Sequence, residues 1–404
     1  MKKANNGGSI TKKIDVKNGK TYESWRCRYS LPDGTRREKK FASQAEAQAF
    51  LTRILADIQA GDYVEPSKMT VAQWADIWIE EYSAGWKYNT KTKYDNIIRT
   101  HIKPGLGRYR LHDLTGPHVQ RFYNELGKTG KVMRKKNAQG QIEERKEPLS
   151  PKSIRLIHGV LSKCLNTAVK VGYIKRNPAS LCTIPKLLKK EISPLTDDQI
   201  RAFLGLCETE NYGRIYKLIL FTGLREGEAL GLTWDCIDFR TGSVKICKQL
   251  QRQGDKDVLV TPKSSKPRFL TVPPFVLQIL KDERKHQLEQ RLAAGESWKG
   301  WTTQADMRTA LVFVKDDGHN ITAGALYQRY KHLAEMIGAP ESRVHDLRHT
   351  YAVLSLQNGD PIKTVQDNLG HATAAFTLDV YGHTTDRMKQ DSADRMQKYF
   401  EEIG

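Results

Sequence analysis

Four short stretches hold residue types suited to an anionic phosphate ester. Thr222-Gly223-Leu224-Arg225-Glu226-Gly227-Glu228 places an arginine where a helix restarts after a glycine. Thr261-Pro262-Lys263-Ser264-Ser265-Lys266-Pro267-Arg268 reads as a basic turn between two strands. His345-Asp346-Leu347-Arg348-His349 sets a histidine and an arginine three apart, on one helix face. Leu369-Gly370-His371 comes ten residues before Tyr381. Guanidinium groups grip a phosphodiester through paired, charge-assisted hydrogen bonds that lysine cannot copy. A lysine of lowered pKa can protonate a leaving alkoxide. A tyrosine, with an unperturbed pKa near ~10, attacks at neutral pH only beside a base or cations. Singly, Arg225 suits a helix surface, Lys263 a solvated turn, His345 and His371 a satisfied core, and Tyr381 ordinary packing. Together, in this order, they match one chemistry, exchange at a phosphodiester.

A metal hydrolase is the first rival, because His345 and His349 are four apart, as in a zinc-binding helix. Asp346 stands where that motif needs glutamate, an arginine lies between the histidines, and no carboxylate cluster is near. Neither a metal nor a cofactor is expected. A non-catalytic DNA-binding protein such as a repressor would leave the Arg/Lys/His/Arg/His/Tyr set unexplained.

The Arg225-x-Gly227-Glu228, His345-x-x-Arg348-His349 and Leu369-Gly370-His371…Tyr381 boxes jointly resemble the tyrosine recombinase (phage-type integrase) superfamily. The likeness is to integrases of conjugative transposons and temperate phages, and it covers most of the chain. It implies a site-specific DNA recombinase that integrates and excises a mobile element through a 3′-phosphotyrosine intermediate. On that resemblance Tyr381 is the nucleophile and Arg225 and Arg348 clamp the scissile phosphate. Lys263 protonates the leaving 5′-oxygen, with Lys266 in the same turn as the alternative acid. His345 and His371 assist proton transfer, and Glu228 supports Arg225 from behind. The implied partners are double-stranded DNA at core-type and arm-type sites, further copies of the chain in a synaptic tetramer, an excisionase and a host DNA-bending protein. A type IB topoisomerase-like strand transferase shares the nucleophile, but a separate DNA-binding sheet and a helical tail favour synapsis of two sites.

The elements that must position these residues form a multidomain α+β chain. Residues 1–65 read as a three-stranded sheet and one helix, similar to an arm-type DNA-binding domain. Asn18-Gly19 and Pro32-Asp33-Gly34 mark the turns, and Trp25, Cys27 and Tyr29 alternate with Arg26 and Arg28. Both arginines are expected on an open face with no intervening carboxylate. Residues 66–185 read as a helical core-binding domain. Its helices are expected from Thr70, from Asn89 to Pro104, from Thr115 to Gly127 and from Ser150-Pro151 to Gly172. Lys128 to Lys146 is a basic insert, either a loop or a hairpin. Residues 186–404 read as a mainly helical catalytic domain with a small antiparallel sheet. Its strands are expected near Ser243–Leu250, Val258–Thr261 and Arg268–Val272. Residues 285–310, with Trp298 and Trp301, read only as a helix and a surface excursion. In the tail, Met388, Met396, Phe400 and Ile403 recur at loosely helical spacing; the resemblance implies docking into a neighbouring protomer. Candidate DNA contacts are Arg26, Arg28, Arg36, Arg37, Lys39, Lys91, Lys93, Arg134, Lys135, Lys136, Lys152 and Arg155.

Charge follows the same division. The 404 residues carry 66 Lys+Arg against 46 Asp+Glu, a net +20. Residues 1–190 hold +21 of this and the remainder −1. Such an excess disfavours a basic partner and suits nucleic acid. With 39% hydrophobic and 28% charged residues, the chain is a folded protein rather than a basic tail. No run of ~20 apolar residues or signal peptide is seen, and the six scattered cysteines suit reduced thiols. A cytoplasmic protein with no membrane partner is expected.

Overall fold

The computed structural model describes residues 7–17, 20–31, 33–61, 63, 68–136, 142–187, 193–262, 266–371, 373, 378 and 386–403. They form two compact units, 1–188 and 189–404, in which helices combine with small antiparallel sheets.

In the first unit β1 (Gly8–Lys17), β2 (Lys20–Ser30) and β3 (Arg36–Phe41) pair antiparallel in that order. The expected turn residues Asn18, Gly19 and Pro32 lie outside the described residues. Cys27 and Tyr29 are buried against α1 (Gln44–Gln59), where Ala47 and Leu51 complete a small core. The Ser43 hydroxyl starts that helix by accepting from the Glu46 backbone N–H at 3.3 Å.

Register corrects the expected basic face. Glu38 arrives from β3 and reaches Arg26 at 3.5 Å and Arg28 at 2.8 Å, so the two arginines do share a carboxylate. Arg36 stands opposite Ser30, and Lys40 opposite Arg26, on the same open face. Arg37 and Lys39 stand opposite Tyr29 and Cys27, on the helix side. The Lys39 ammonium lies 4.7 Å from the Phe50 ring centroid.

A second core joins α2 (Val71–Glu81), α3 (Tyr88–Ile97), α4 (Lys103–Leu106), α5 (Gly116–Thr129) and α6 (Pro151–Lys170). Thr70 and Gln73 form a capping box at the start of α2. Trp74 and Trp78 are fully buried, and their indole N–H groups donate to Cys164 O at 3.1 Å and Thr167 Oγ1 at 3.0 Å. The expected helix stop at Pro104 does not occur. A π-helical turn, Ile98–Ile102, lets the Lys103 N–H bond to Ile98 O, and Pro104 sits in the first turn of α4, where its missing N–H costs little. Likewise α5 runs past Gly127 and is capped at Gly130.

The 128–146 insert contains a hairpin of β4 (Lys131–Lys136) and β5 (Ile142–Glu147). Lys131, Arg134 and Lys135 stand opposite Glu147, Glu144 and Glu143. Lys131 Nζ lies 3.4 Å from Glu147 Oε2, and this opposite-charge pair supports a pairing that β propensity alone would not.

The second unit packs α7 (Asp197–Cys207), α8 (Gly213–Thr222) and α9 (Glu226–Leu230) into a larger core. Next come β6 (Ile237–Asp238), β7 (Ser243–Ile246), β8 (Gln249–Gln253), β9 (Lys256–Val260) and β10 (Arg268–Thr271). One sheet has the order β10-β7-β6, and β8 pairs with β9 in a separate two-stranded sheet. The single strand expected over Ser243–Leu250 is therefore split between two sheets. The expected basic turn at 263–265 lies outside the described residues, and the strands on either side of it belong to different sheets, β9 with β8 and β10 with β7.

Helices α10 (Pro274–Ala294), α11 (Gln304–Thr309), α12 (Ala323–Met336), α13 (Val344–Gln357), α14 (Ile362–Leu369) and α15 (Asp386–Ile403) follow. The 285–310 region is no mere surface excursion. Trp301 is buried, and Gln287 in α10 accepts from the indoles of Trp234 at 3.2 Å and Trp301 at 3.0 Å. The Gln287 amide donates in turn to Leu311 O and Val312 O, so the buried amide is satisfied. Met396, Tyr399, Phe400 and Ile403 on α15 are exposed. No helix among the described residues is long and apolar enough to cross a membrane.

Candidate active site

Three consecutive carbonyls at the C-terminal end of α14 gather three arginines. Asn368 O accepts from Arg268 Nε at 2.8 Å, Leu369 O from Arg348 Nη2 at 2.7 Å, and Gly370 O from Arg225 Nη2 at 3.2 Å. A helix ends in unsatisfied carbonyls with partial negative charge, so cations are stabilised there. Gly370 caps the helix at φ +63°, and a Cβ on it would lie 3.1 Å from Arg268 Cδ. Conformation and crowding both favour glycine.

Arg348 is 1% exposed, and its Nη1 donates to Gly223 O at 2.6 Å. One side chain on α13 thus ties the end of α8 to the end of α14. Gly223 itself has φ +65°, and the Tyr351 ring approaches where a Cβ would stand. This left-handed residue ends α8 and delivers Arg225 to the start of α9.

Glu228 lies behind Arg225. Its Oε1 accepts from Arg225 Nη1 at 2.9 Å and Arg268 Nη1 at 2.9 Å. Its Oε2 accepts from the Arg225 backbone N–H at 3.0 Å and Arg268 Nη2 at 2.6 Å. Burial alone would raise the Glu228 pKa. The hydrogen bonds and charge of Arg268, then those of Arg225, outweigh that effect and hold it at about 2. The carboxylate is therefore ionised throughout the physiological range.

His345 and His371 behave in the opposite sense. Desolvation, with the charges of Arg348 and Arg225 and the neighbouring His349, lowers each to about 4. His345 keeps an exposed side while its ring meets His349 edge to face, centroids 4.7 Å apart. Both imidazoles are neutral at pH 7 and can accept a proton. No group of three or more His, Cys, Asp or Glu side chains among the described residues could hold a metal ion.

Arg225, Glu228, His345, Arg348 and His371 thus lie around one helix end. Lys263 and Tyr381 lie outside the described residues, and Lys266 is exposed. Arg268 was not among the expected site residues. The signal was its place at the end of the basic stretch, but its partners come from α9 and α14.

The candidate DNA contacts are dispersed. Lys91 and Lys93 are exposed on α3, two positions apart and so on different helix faces. Lys152 is exposed at the start of α6, whereas Arg155 Nη1 is bonded to Pro185 O at 2.9 Å. Arg134, Lys135 and Lys136 have backbone positions in β4, and their side chains lie outside the description.

Comparison with known proteins gives concordant matches. The model of the phage integrase family matches residues 194–388, and that of the phage integrase N-terminal SAM-like domain matches residues 70–127. A XerC-like tyrosine recombinase of Caldanaerobacter subterraneus subsp. tengcongensis is 27% identical, over 95% of this chain and 98% of its own. The ICEBs1 integrase of Bacillus subtilis is 24% identical, over 79% of this chain and 81% of its own. Among solved structures, the Tn1549 transposon integrase in complex with a circular intermediate DNA superposes with a TM-score of 0.65 at 21% identity. That match covers 81% of this chain and 99% of the other. A lambda integrase tetramer bound to a Holliday junction gives 0.54 at 17% identity, over 92% and 96%. With family models lying over the helices of the first unit and most of the second, and a relative aligned almost end to end, the chain belongs to the phage integrase family of tyrosine recombinases.

Proposed function

We propose that the chain is a site-specific recombinase that integrates and excises a mobile element, breaking and rejoining double-stranded DNA through a phosphotyrosine on Tyr381. The observation that carries this reading is the convergence of Arg225 and Arg348 on one helix end, beside two neutral histidines. A phosphodiester gains negative charge on its non-bridging oxygens during attack, and two positioned guanidiniums stabilise that charge where it develops. The Tyr381 phenol gives its proton to a neutral imidazole, His345 or His371, as its oxygen bonds to phosphorus. The bond to the 5′-oxygen breaks, and Lys263 or Lys266 protonates the departing oxygen. The phosphotyrosine conserves the bond energy, so a second 5′-hydroxyl can reverse the step without ATP.

The three proposed modules, 1–65, 66–185 and 186–404, divide the labour. The open face of the β1–β3 sheet suits arm-type DNA. The helical module and the catalytic module hold the core site. The exposed apolar residues of α15 suit docking into a neighbouring protomer, and a tetramer in synapsis is the assembly proposed. An excisionase and a host DNA-bending protein would set the direction of the reaction. A cytoplasmic location is part of the same proposal, since the substrate is DNA.

The experiment is covalent trapping on a nicked suicide duplex. Wild-type protein is expected to yield an adduct whose peptide map places the DNA on Tyr381, and Tyr381→Phe to yield none. An adduct of undiminished yield with Tyr381→Phe would refute the assignment.

A further inference from the structure

We propose that Arg268 is a positioning residue of strand transfer, aiming Arg225 through Glu228 and His371 through the Asn368 carbonyl without itself contacting DNA. This rests on the recombinase reading above. All three guanidinium nitrogens donate to protein acceptors, at 2.8 Å to Asn368 O and at 2.9 and 2.6 Å to the two Glu228 oxygens. The side chain is only 12% exposed.

The fork-to-fork contact fixes the plane of the Glu228 carboxylate. That carboxylate is fully buried and uses the same Oε1 to hold Arg225 Nη1. Without Arg268, one side of a buried charge loses its partner, and the carboxylate can turn toward Arg225 or take up a proton. Either change releases the guanidinium from its single orientation.

The second link runs through the backbone. Arg268 lies against Gly370, with Cδ, Nη1 and Cζ each 3.1–3.3 Å from where a Cβ would stand. The next residue, His371, is held by its N–H to Gln366 O at 3.1 Å, and its carbonyl accepts from the Gln366 amide at 3.1 Å. Arg268 therefore grips the same short segment from the β10 side. Lysine offers one point of contact and cannot reproduce three divergent bonds.

The test compares full-length wild type, Arg268→Gln, Arg268→Lys, Glu228→Gln and the Arg268→Gln/Glu228→Gln double variant. The probe is a nicked duplex spanning the joined ends of the element that carries the gene. Covalent adduct should form about a hundredfold more slowly in both Arg268 variants, the usual effect of misaligned catalytic groups. Fluorescence anisotropy should show unchanged affinity for the duplex. The double variant should lose clearly less than the product of the two single losses, because both substitutions break the shared path to Arg225 through the Glu228 carboxylate. A wild-type rate overturns the proposal. So does an equal loss of rate and affinity, or losses that multiply in the double variant. Circular dichroism checks the fold, and Arg268→Lys, which keeps stem and charge, carries the test if Arg268→Gln does not fold. Failure of the recombinase reading looks different, since wild type would then form no adduct at all.

Discussion

At the scale of single residues, burial acts on the acids and the bases of the site with opposite outcomes. Glu228 stays charged because Arg268 and Arg225 more than offset its desolvation, whereas His345 and His371 stay neutral because desolvation lowers them and the charges of Arg348 and Arg225 act in the same direction. An unfolded histidine titrates near 6.5 and these two near 4, so between those values the unfolded chain binds more protons. Their contribution to stability is complete above about pH 6.5 and is lost as pH falls toward 4. The urea midpoint of the protein is therefore expected to drop between pH 7 and pH 5. The drop should be smaller in a His345→Asn/His371→Asn variant, and not abolished, since His286 and His349 are also lowered. An unchanged drop would assign the acid sensitivity to other groups. The spacing of His345 with Arg348, and of Arg225 with Glu228, was legible because helical neighbours share a face. Arg268 and Glu38 were not. Each takes its meaning from a partner on another element, and an arginine at the end of a basic run looks like one more phosphate contact.

At the scale of elements, starts were easier to read than stops. Thr70 and Ser150 begin helices as their side chains dictate, because a cap bonds to backbone only three residues away. Stops depend on what lies beyond the chain segment. Pro104 failed to end its helix because a π turn before it removed the conflict, and Gln287 turned an apparent excursion into core by satisfying two indoles. Gly223 is the junction where such packing has most leverage on the site. It holds φ +65°, and a Cβ there would lie 2.4 Å from Tyr351 Cδ1 and 2.7 Å from Leu369 Cδ2. The Tyr351 hydroxyl in turn accepts from the Asn368 amide at 3.1 Å. Gly223→Ala should cost about 2–4 kcal/mol, combining a left-handed backbone penalty with overpacking. Chemical denaturation measures that loss. Strand-cleavage rate should fall beyond the loss of folded protein, because the displaced ring leans on the helix end that collects the arginines. Loss of stability with an undiminished rate per folded molecule would separate this packing from the site.

At the scale of the whole molecule, the net +20 divides into a strongly basic first part and a nearly neutral remainder. This was legible from composition, because counting charges needs no coordinates. What composition could not show is which cations are available to DNA. Lys39 lies beside the Phe50 ring on the helix side, and Arg26 and Arg28 share Glu38, while Arg36 and Lys40 complete the open face. An exposed cation that neutralises a phosphate releases a counterion, so log affinity falls with log salt by about 0.9 per phosphate contact. Replacing Arg26, Arg28, Arg36 and Lys40 together by alanine should therefore lower the salt slope of arm-type duplex binding by about 2–4. Cleavage of a saturating core-type duplex should keep its wild-type rate, since the cations of the chemical step belong to the second unit. Replacing Arg37 and Lys39 instead should change the slope less per residue than the open-face substitutions do. The comparison is direct, because all six residues lie within one sheet and the two sets occupy opposite sides of it. An equal effect per residue from both sets would mean that bulk charge, and not the open face, binds the DNA.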